Sequence, residues 1–243
     1  IHGGDIGNSG TINLALKLKK KIVMNWAGTD VLAAQVKKNN ANYSTKYIDK
    51  IHHFCGSSWL KQELLDIGIN AEILDILIIE NTIKKSILPE KFVVLTYIGQ
   101  DRPEFCGINT IIKLAKDFKN IKFRVAGLSK YSNLPKNVEL LGWTDMEKEY
   151  MNMSVYIRNP KHDGLSCSVL EALNYGKPVF YNYDFNYVNY FNNYKTLKSQ
   201  LENVIEKFSK KELKINYKAI EFVQKEFSRE KIMNKFLGVF KNV

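Results

Sequence analysis

The chain is poor in cysteine and has no long apolar run, and both shortages exclude classes of protein. Its three cysteines, Cys55, Cys106 and Cys167, are odd in number and widely spaced, and no C-x-x-C pair occurs. Neither a disulfide framework nor a zinc site is therefore indicated, and reduced thiols in a cytoplasmic protein are the simplest interpretation. No run approaches the roughly 18 apolar residues of a membrane span, and no signal-peptide pattern is present.

Acidic residues are scarce relative to basic ones. The 243 residues include 36 Lys and Arg against 25 Asp and Glu, which gives a net charge of +11. Such a charge fits nucleic acid, an anionic membrane surface or a phosphorylated substrate. The lysines are scattered, as on a solvated surface, and no aromatic–basic RNA motif or recognition-helix pattern occurs, so nucleic acid has the least support.

Strand-like apolar runs alternate with helical patterns along most of the chain, which predicts an α/β fold with parallel sheets. The polar segment 81–90 is interpreted as an interdomain linker, so we expect domains over 1–86 and 87–227 and a C-terminal helix over 228–243 that packs back on the first domain. Residues 73–79 are interpreted as a strand and residues 181–194 as a loop. Ser57 or Ser58, and Ser228, are predicted helix N-caps.

Glycines near the start of the chain resemble a dinucleotide-binding loop only superficially. Gly4, Gly7 and Gly10 have the spacing G-x-x-G-x-x-G, whereas the dinucleotide fingerprint is G-x-G-x-x-G. No G-x-S-x-G nucleophile elbow occurs either. The first residue is Ile1 rather than Met, which favours a piece of a longer chain.

The most informative segment is RNPKHDGLSCSVLEALNYGKPVF, at residues 158–180. Asp163 and Glu171 flank residues 164–170, in which a glycine turn leads into a predicted helix that Ser166 or Ser168 can cap. The first N–H groups of a helix lack internal partners and attract phosphate. Glu171 lies about one turn into the helix, where its carboxylate can accept both hydroxyls of a ribose, and Gly176 can end the helix with positive φ.

Basic side chains surround this turn. Arg158, Lys161 and His162 add positive charge or hydrogen-bond donors beside it. A strand, a capped helix and a Gly-x-Pro stop also occur in many α/β proteins, however. From these residues alone, Glu171 is equally a solvated helix carboxylate and Asp163 an ordinary loop residue.

The segment DGLSCSVLEALNYGKPVF resembles the E-x7-E motif of retaining glycosyltransferases with the GT-B fold, family four in particular. Further similar segments follow in the family's order over nearly all of the chain, among them YIGQDRPEFCGINTIIKLAKDF, FRVAGL and NVELLGWTDMEKEYMNMSVYI. The resemblance implies two Rossmann-like parallel-sheet domains, the N-terminal one incomplete. It also implies retaining transfer of a sugar from a nucleotide diphosphate sugar to a glycan or lipid-linked acceptor, with no metal and no cofactor.

The resemblance also implies roles for single residues. Glu171 is expected to bind the donor ribose, and Asp163 takes the place of the family's first glutamate, near the donor sugar and its phosphate. The remaining expected donor-binding residues are Gly99, Lys161, Gly164, Leu165 and Ser166, the last three through backbone N–H groups.

Three departures from the family pattern qualify this prediction. The Arg and Lys that commonly clamp the diphosphate are replaced by Gln100 and Cys106, and a histidine frequent in the first domain is replaced by Ala27. Arg102 or Arg158 is expected to substitute for the clamp, so the predicted catalytic residues are Asp163, Arg102 and Arg158. The altered clamp leaves open a nucleotide-sugar-binding protein without catalysis, and the positive charge predicts peripheral contact with the anionic inner membrane surface.

Overall fold

A computed structural model of the chain describes residues 10–40, 45–80 and 86–242. Contacts divide it into two compact units. The first unit comprises the chain as far as Ile78, the segment His162–Ser166 and the part from Phe227, and the second comprises Ile79–Lys161 and Cys167–Glu226. Part of the predicted linker, residues 81–85, lies outside the described residues, as do Gly4 and Gly7 of the glycine pattern near the start of the chain. We retain the sequence-based limits 1–86, 87–227 and 228–243 as a proposal.

The first unit is built on a parallel sheet in the order β1-β2-β3. Along the chain, its elements are α1 (Gly10–Lys17), β1 (Val23–Trp26), α2 (Thr29–Asn39), a 3-10 helix (Ile48–Lys50), β2 (His52–Cys55), α3 (Ser58–Asp66) and β3 (Ala71–Ile73). Its core contains Met24 and Trp26 from β1, Leu60 and Leu64 from α3, and Ile69.

One strand prediction is wrong in its extent. Residues 73–79 were expected to form a strand, but β3 ends at Ile73 and residues 74–80 have no regular secondary structure. Register explains the difference, because Ile73 pairs with Cys55, the last residue of β2. The Leu74 N–H still donates to the Cys55 carbonyl at 2.9 Å, but β2 ends at Cys55, and the apolar run reflects burial of Leu74 and Ile79 rather than a longer strand.

The second unit is built on a parallel sheet in the order β6-β5-β4-β7-β8-β9. Its strands are β4 (Val93–Tyr97), β5 (Lys122–Ala126), β6 (Val138–Gly142), β7 (Val155–Arg158), β8 (Val179–Tyr181) and β9 (Asn189–Tyr190). Its helices are α4 (Ile108–Asp117), α5 (Met146–Asn152), α6 (Cys167–Asn174), α7 (Tyr194–Ser209) and α8 (Tyr217–Glu226), and α9 (Arg229–Asn242) follows in the first unit. Strand order reverses between β4 and β7, as in the doubly wound Rossmann arrangement.

The predicted loop 181–194 contains the short strand β9, which pairs in parallel with β8 through Phe180 and Asn189. Two residues at a sheet edge carry too little periodicity to be seen in sequence. The α/β class with parallel sheets is confirmed, and among the described helices none is long and apolar enough to cross a membrane.

Local helix signals were predicted more reliably. The Ser57 side chain accepts a hydrogen bond from Leu60 N at 3.4 Å, and that of Ser228 accepts one from Lys231 N at 3.3 Å. Gly176, just after α6, has a φ of 62°. Both N-caps and the glycine stop are therefore confirmed.

Candidate functional site

The carboxyl ends of β4 and β7 meet where the strand order of the second unit reverses. Ligands of open α/β sheets bind at this position. Gly99 follows β4 after one residue, and Arg158 is the last residue of β7. The Arg158 guanidinium donates from Nη1 to the Tyr97 carbonyl oxygen at 3.1 Å. Two of the predicted site residues therefore lie at the same edge of the sheet.

The segment after β7 is fixed to the start of α4. Asn159 donates from Nδ2 to Thr110 Oγ1 at 2.7 Å, and the Lys161 backbone N–H donates to the Phe105 carbonyl at 2.8 Å. Gly107, with a φ of 97°, approaches the Asn159 carbonyl so closely that a Cβ would overlap it. The exposed Lys161 side chain is thus carried by a well-anchored backbone.

The Glu171 carboxylate is held by two side chains of its own unit. Tyr150 donates its hydroxyl to Glu171 Oε2 at 2.7 Å, and the Cys167 thiol donates to Oε1 at 3.3 Å. Burial, aided by the carboxylate, raises the pKa of Tyr150 and raises that of Cys167 to about 12, so both remain donors at neutral pH. Sequence reasoning missed Tyr150, which is 2% exposed, because nothing local links it to a carboxylate 21 residues later.

The motif loop, His162–Ser166, belongs by its contacts to the first unit. Trp59 donates from Nε1 to the Asp163 carbonyl oxygen at 2.9 Å. His162 Nε2 lies 2.7 Å from Glu63 Oε2, and this hydrogen bond is the main cause of a raised His162 pKa, which burial opposes. The sequence analysis singled out neither Trp59 nor Glu63, because both lie about a hundred residues away and no local pattern connects them to the loop.

Two glycines allow the motif loop to approach the turn after β1. A Cβ on Gly164 would overlap the Ala27 carbonyl, and one on Gly28 would lie 2.8 Å from Gly164 N. Gly28 also has a φ of 143°, which other residues rarely adopt. Close backbone packing therefore requires glycine at position 164. Its expected role as an N–H donor to the ligand, with those of Leu165 and Ser166, stays a prediction.

The turn after β1 also carries its own acid. The Asp30 carboxylate accepts hydrogen bonds from the backbone N–H groups of Ala27, Gly28 and Val31, at distances down to 2.7 Å. A carboxylate thus already occupies the positive end of α2. This helix start is therefore a poor phosphate site, and Ala27 supplies no side-chain donor in place of the family's histidine.

Gln100, at the first altered clamp position, has a packing role. Its Oε1 accepts from Ser129 N at 2.9 Å and from Ser129 Oγ at 3.0 Å, and its Nε2 donates to the Lys130 carbonyl at 3.2 Å. Gln100 therefore holds the loop after β5 against the end of β4. The same bonds bring Lys130, which sequence reasoning did not single out, to this edge of the sheet.

The other clamp positions lie on the segment between β4 and α4. The exposed Arg102 guanidinium lies 4.9 Å from the centre of the Phe105 ring, a cation–π arrangement. Cys106 donates its backbone N–H to the Arg102 carbonyl at 3.0 Å. The described residues contain no group of three or more His, Cys, Asp or Glu side chains that could hold a metal ion.

Comparisons with known proteins agree with this architecture. The family model described as glycosyl transferases group 1 matches residues 78–232. No curated protein sequence matches the chain.

Several solved structures share the fold. TarM of S. aureus, solved with fondaparinux, α-GlcNAc-glycerol and UDP, is 17% identical over 94% of this chain and 58% of its own, with a TM-score of 0.56. The pneumococcal O-GlcNAc transferase GtfA, solved with UDP and GlcNAc, is 13% identical over 96% of this chain and 59% of its own, with a TM-score of 0.64. Sucrose-phosphate synthase from Thermosynechococcus elongatus is 12% identical over 96% of this chain and 71% of its own, with a TM-score of 0.69.

These neighbours are GT-B glycosyltransferases, and the parallel sheets described above match their fold. The chain spans less than two thirds of the length of the TarM and GtfA chains. Because the family model covers well over half of the chain, the chain belongs to the group 1 glycosyl transferases.

Proposed function

We propose that the protein transfers a sugar from a nucleotide diphosphate sugar to a hydroxyl-bearing acceptor. The observation that carries the proposal is the Glu171 carboxylate, oriented by Tyr150 at 2.7 Å on the helix that follows β7. A fixed carboxylate beside a topological switch point is suited to the two hydroxyls of a ribose. The nucleotides bound by TarM and GtfA support UDP as a first donor to test.

The diphosphate is proposed to bind at the carboxyl edge of the second unit's sheet. Gly99 gives close backbone access there, and Arg158 supplies a guanidinium, which stays charged and can bind phosphate in a bidentate manner. Lys161 and Arg102 add exposed positive charge on neighbouring segments. The proposed donor contacts of the motif loop are Asp163 and the N–H groups of Gly164, Leu165 and Ser166.

Catalysis would then consist of positioning and charge stabilisation. As the bond from the sugar to the diphosphate breaks, negative charge develops on the departing phosphate, and the guanidinium of Arg158 or Arg102 stabilises it. In our proposal Asp163 orients the donor sugar. Transfer is proposed to proceed with retention, as in family four, and without a metal ion.

The acceptor is proposed to be a glycan or a lipid-linked saccharide. The chain's net charge of +11 supports peripheral contact with an anionic inner leaflet, where lipid-linked acceptors are found. Flotation with vesicles should then increase when phosphatidylglycerol is added to phosphatidylcholine. Equal flotation with both compositions would rule out this contact.

The second candidate function is nucleotide-sugar binding without transfer. It is favoured by Gln100, which supplies no cation at the clamp position and is occupied with Ser129 and Lys130. Product formation separates the two candidates, because both require donor binding but only the first consumes the donor.

The direct test is incubation of the chain with radiolabelled UDP and GDP sugars and a mixture of glycan and lipid acceptors. Transfer of label that is reduced in Arg158→Ala and Asp163→Ala supports the enzyme. Binding of UDP or GDP by calorimetry without any transfer supports the second candidate. Salt-sensitive retention on DNA with no nucleotide binding would contradict both and favour a nucleic-acid-binding protein.

A further inference from the structure

The second unit contains a cavity of ≈ 300 Å³ at the carboxyl edge of its sheet. Asn159 follows β7, Asn182 follows β8 and Tyr190 ends β9, and all three line the cavity. Thr110 and Tyr194, in the first turns of α4 and α7, also belong to its wall. The volume lies at the lower end of the roughly 300–1,000 Å³ of ligand pockets, so the cavity has room for a small molecule or for one ring of a larger one.

This cavity lies on the opposite face of the sheet from Glu171. β4 connects to β5 through α4, whereas β7 connects to β8 through α6, and the two connections run in opposite directions along the sheet. Because crossovers between parallel strands are right-handed, α4 and α6 cover opposite faces. α7 packs on the same face as α4, since Ile111, Leu114 and Leu197 belong to one core cluster. The cavity between α4 and α7 is therefore separate from the proposed ribose contact on α6.

The wall of the cavity is polar but uncharged. The described residues that line it are four asparagines, two tyrosines and one threonine, with Phe191 and Leu197 as the apolar members. An ion bound here would lose hydration without gaining a counter-charge, which is unfavourable. Amide groups both donate and accept hydrogen bonds, as the hydroxyl groups of a neutral ligand require.

Hydrogen bonds hold these amide groups in place. Asn182 donates from Nδ2 to the Pro160 carbonyl at 2.8 Å. Asn193 Oδ1 caps α7 by accepting from Thr196 N at 3.0 Å, and Asn193 Nδ2 donates to Asn192 Oδ1 at 2.7 Å. A wall that is already ordered loses little conformational freedom when a ligand binds.

Two exposed side chains of the wall are accessible to a ligand. Tyr190 is 44% exposed, and Asn192 is exposed as well. Within the described part of the chain, the Tyr190 hydroxyl has no hydrogen-bond partner, and the Asn192 amide engages only its oxygen, with Asn193. A sugar ring has apolar faces and hydroxyl edges, so the tyrosine ring and the free amide donors match its two kinds of surface.

The other aromatic residues of the wall disfavour a nucleobase. Phe191 is only 2% exposed. The Tyr194 ring centre lies 3.9 Å from Lys113 Nζ, and its hydroxyl donates to Asp117 at 2.9 Å. Tyr190 is thus the aromatic ring that the described wall offers to a ligand, and one ring suits a sugar better than a planar base held between two.

We propose that this cavity is a second carbohydrate-binding site, which binds one neutral ring of a glycan and takes no part in sugar transfer. Tyr190 contacts the apolar face of the ring, and Asn192 donates to its hydroxyl groups. The site does not depend on the transfer reaction, but in a transferase it raises the effective concentration of a glycan substrate.

The test is saturation-transfer-difference NMR on the 243-residue chain, without nucleotide and with saturating UDP. The probes are the methyl α-glycosides of glucose, galactose and N-acetylglucosamine, with glucose 6-phosphate and uridine as the anionic and aromatic comparisons. Tyr190→Ala and Asn192→Ala remove the two accessible side chains. Tyr217→Ala, at a 65% exposed position that starts α8, and Asn186→Ala, at an exposed position after β8, are the matched controls.

We expect at least one neutral glycoside to bind more tightly than glucose 6-phosphate and uridine, and saturating UDP should not displace it. Tyr190→Ala and Asn192→Ala should each weaken this binding about threefold or more, because each removes a hydrogen bond to the ligand. The control variants should bind the glycoside as the original chain does. Since all four positions are exposed, thermal unfolding should show that every variant remains folded.

The proposal is overturned if none of the glycosides binds or if UDP displaces the bound glycoside. It is equally overturned if Tyr190→Ala and Asn192→Ala bind the glycoside as tightly as the two control variants, or if uridine or glucose 6-phosphate binds more tightly than every neutral glycoside. Failure of UDP itself to bind would instead contradict the proposed transfer function, and the effects of Tyr190→Ala and Asn192→Ala on glycoside binding would still decide between these outcomes.

Discussion

Glu171 is oriented by a hydroxyl and a thiol, and each can be removed without changing the charge of the carboxylate. Tyr150→Phe deletes the hydrogen bond of 2.7 Å to Oε2 and leaves the ring in place. If orientation of Glu171 matters for ribose binding, UDP affinity should fall about three- to tenfold by calorimetry.

Tyr156→Phe is the matched control for this change, because it deletes a similar hydroxyl that donates to Ser168 Oγ at 2.7 Å instead. Equal UDP affinities for the two variants would show that the Tyr150 hydroxyl has no positioning role.

His162 gives a second test at the scale of one residue. Its hydrogen bond to Glu63 is the main cause of its raised pKa, and burial acts in the opposite direction. Glu63→Gln should therefore lower the pKa of His162, which an NMR titration of the imidazole Cε1 proton measures directly; the charges of Asp163 and Asp30, which also raise this pKa, remain in the variant. Glu72→Gln is the control, and an unchanged pKa in Glu63→Gln would mean that the two side chains do not pair in solution.

The sign of the pH effect follows from this pair. A histidine whose pKa is higher in the folded than in the unfolded chain stabilises the protein fully when the pH is below the pKa of the unfolded chain. This stabilisation is lost as the pH rises through the folded-state pKa. The motif loop should accordingly be held more firmly at pH 6 than at pH 8.

At the scale of elements, Lys177 joins segments that are distant in sequence. Its ammonium group donates to the carbonyls of Ile87, Met151 and Met153 at 2.5, 3.2 and 2.9 Å. Burial lowers the pKa of Lys177 to about 8, so the group still carries its proton at pH 7. One side chain thus supplies hydrogen-bond donors to carbonyl groups at the end of α5 and in the segment that precedes β4.

Lys177→Met should destabilise the second unit by about 2–4 kcal/mol, because it leaves buried carbonyls without a donor. Urea unfolding followed by circular dichroism measures this change. Lys116→Met, at an exposed position on α4, should stay within about 0.5 kcal/mol of the original chain. If both variants lost a similar amount of unfolding free energy, the buried ammonium group of Lys177 would have no special role in stability.

Sequence predicted those elements whose signals are local. The Ser57 and Ser228 caps and the Gly176 stop each depend on residues within one turn of a helix, and all three are present. The end of β3 was missed because it depends on where its partner β2 stops.

In the candidate site, too, positions that depend on local sequence were predicted, and contacts between distant residues were not. Gly99 follows β4, Arg158 ends β7 and Glu171 lies on α6, in the order of strands and helix that the sequence pattern predicts. The contacts of Tyr150, Trp59 and Glu63 were not predicted, because each joins side chains that only the folded chain brings together.

At the scale of the whole molecule, the Asp75 carboxyl should influence the pH dependence of stability. Burial raises its pKa to about 6, so ionisation costs more in the folded than in the unfolded chain. This cost is absent below about pH 4, develops as the pH rises to 6 and is complete above it.

Asp75→Asn should consequently match the original chain in thermal stability near pH 4 and exceed it above pH 6, by about 1–2 kcal/mol after allowance for partial exposure. Thermal unfolding between pH 4 and 8 provides the measurement. A stability difference that stays constant over this range would show that Asp75 does not ionise in a buried position.

The two parallel sheets place separate groups of polar residues at their carboxyl edges. In the second unit, Arg158 ends β7 and Glu171 lies on α6, the next helix along the chain, and in the first unit Asn25 and Asp75 are among the residues that line a cavity. Donor recognition by Glu171 is the central claim, since the transfer function depends on it.

Calorimetric titration of UDP into the chain, into Glu171→Gln and into Glu147→Gln tests that claim most directly. Glu147 is an exposed carboxylate in the first turn of α5 and serves as the control. We predict that the original chain and Glu147→Gln bind UDP with equal affinity and that Glu171→Gln binds it at least about tenfold more weakly. Equal affinity of all three proteins, or no binding by any of them, would contradict the account.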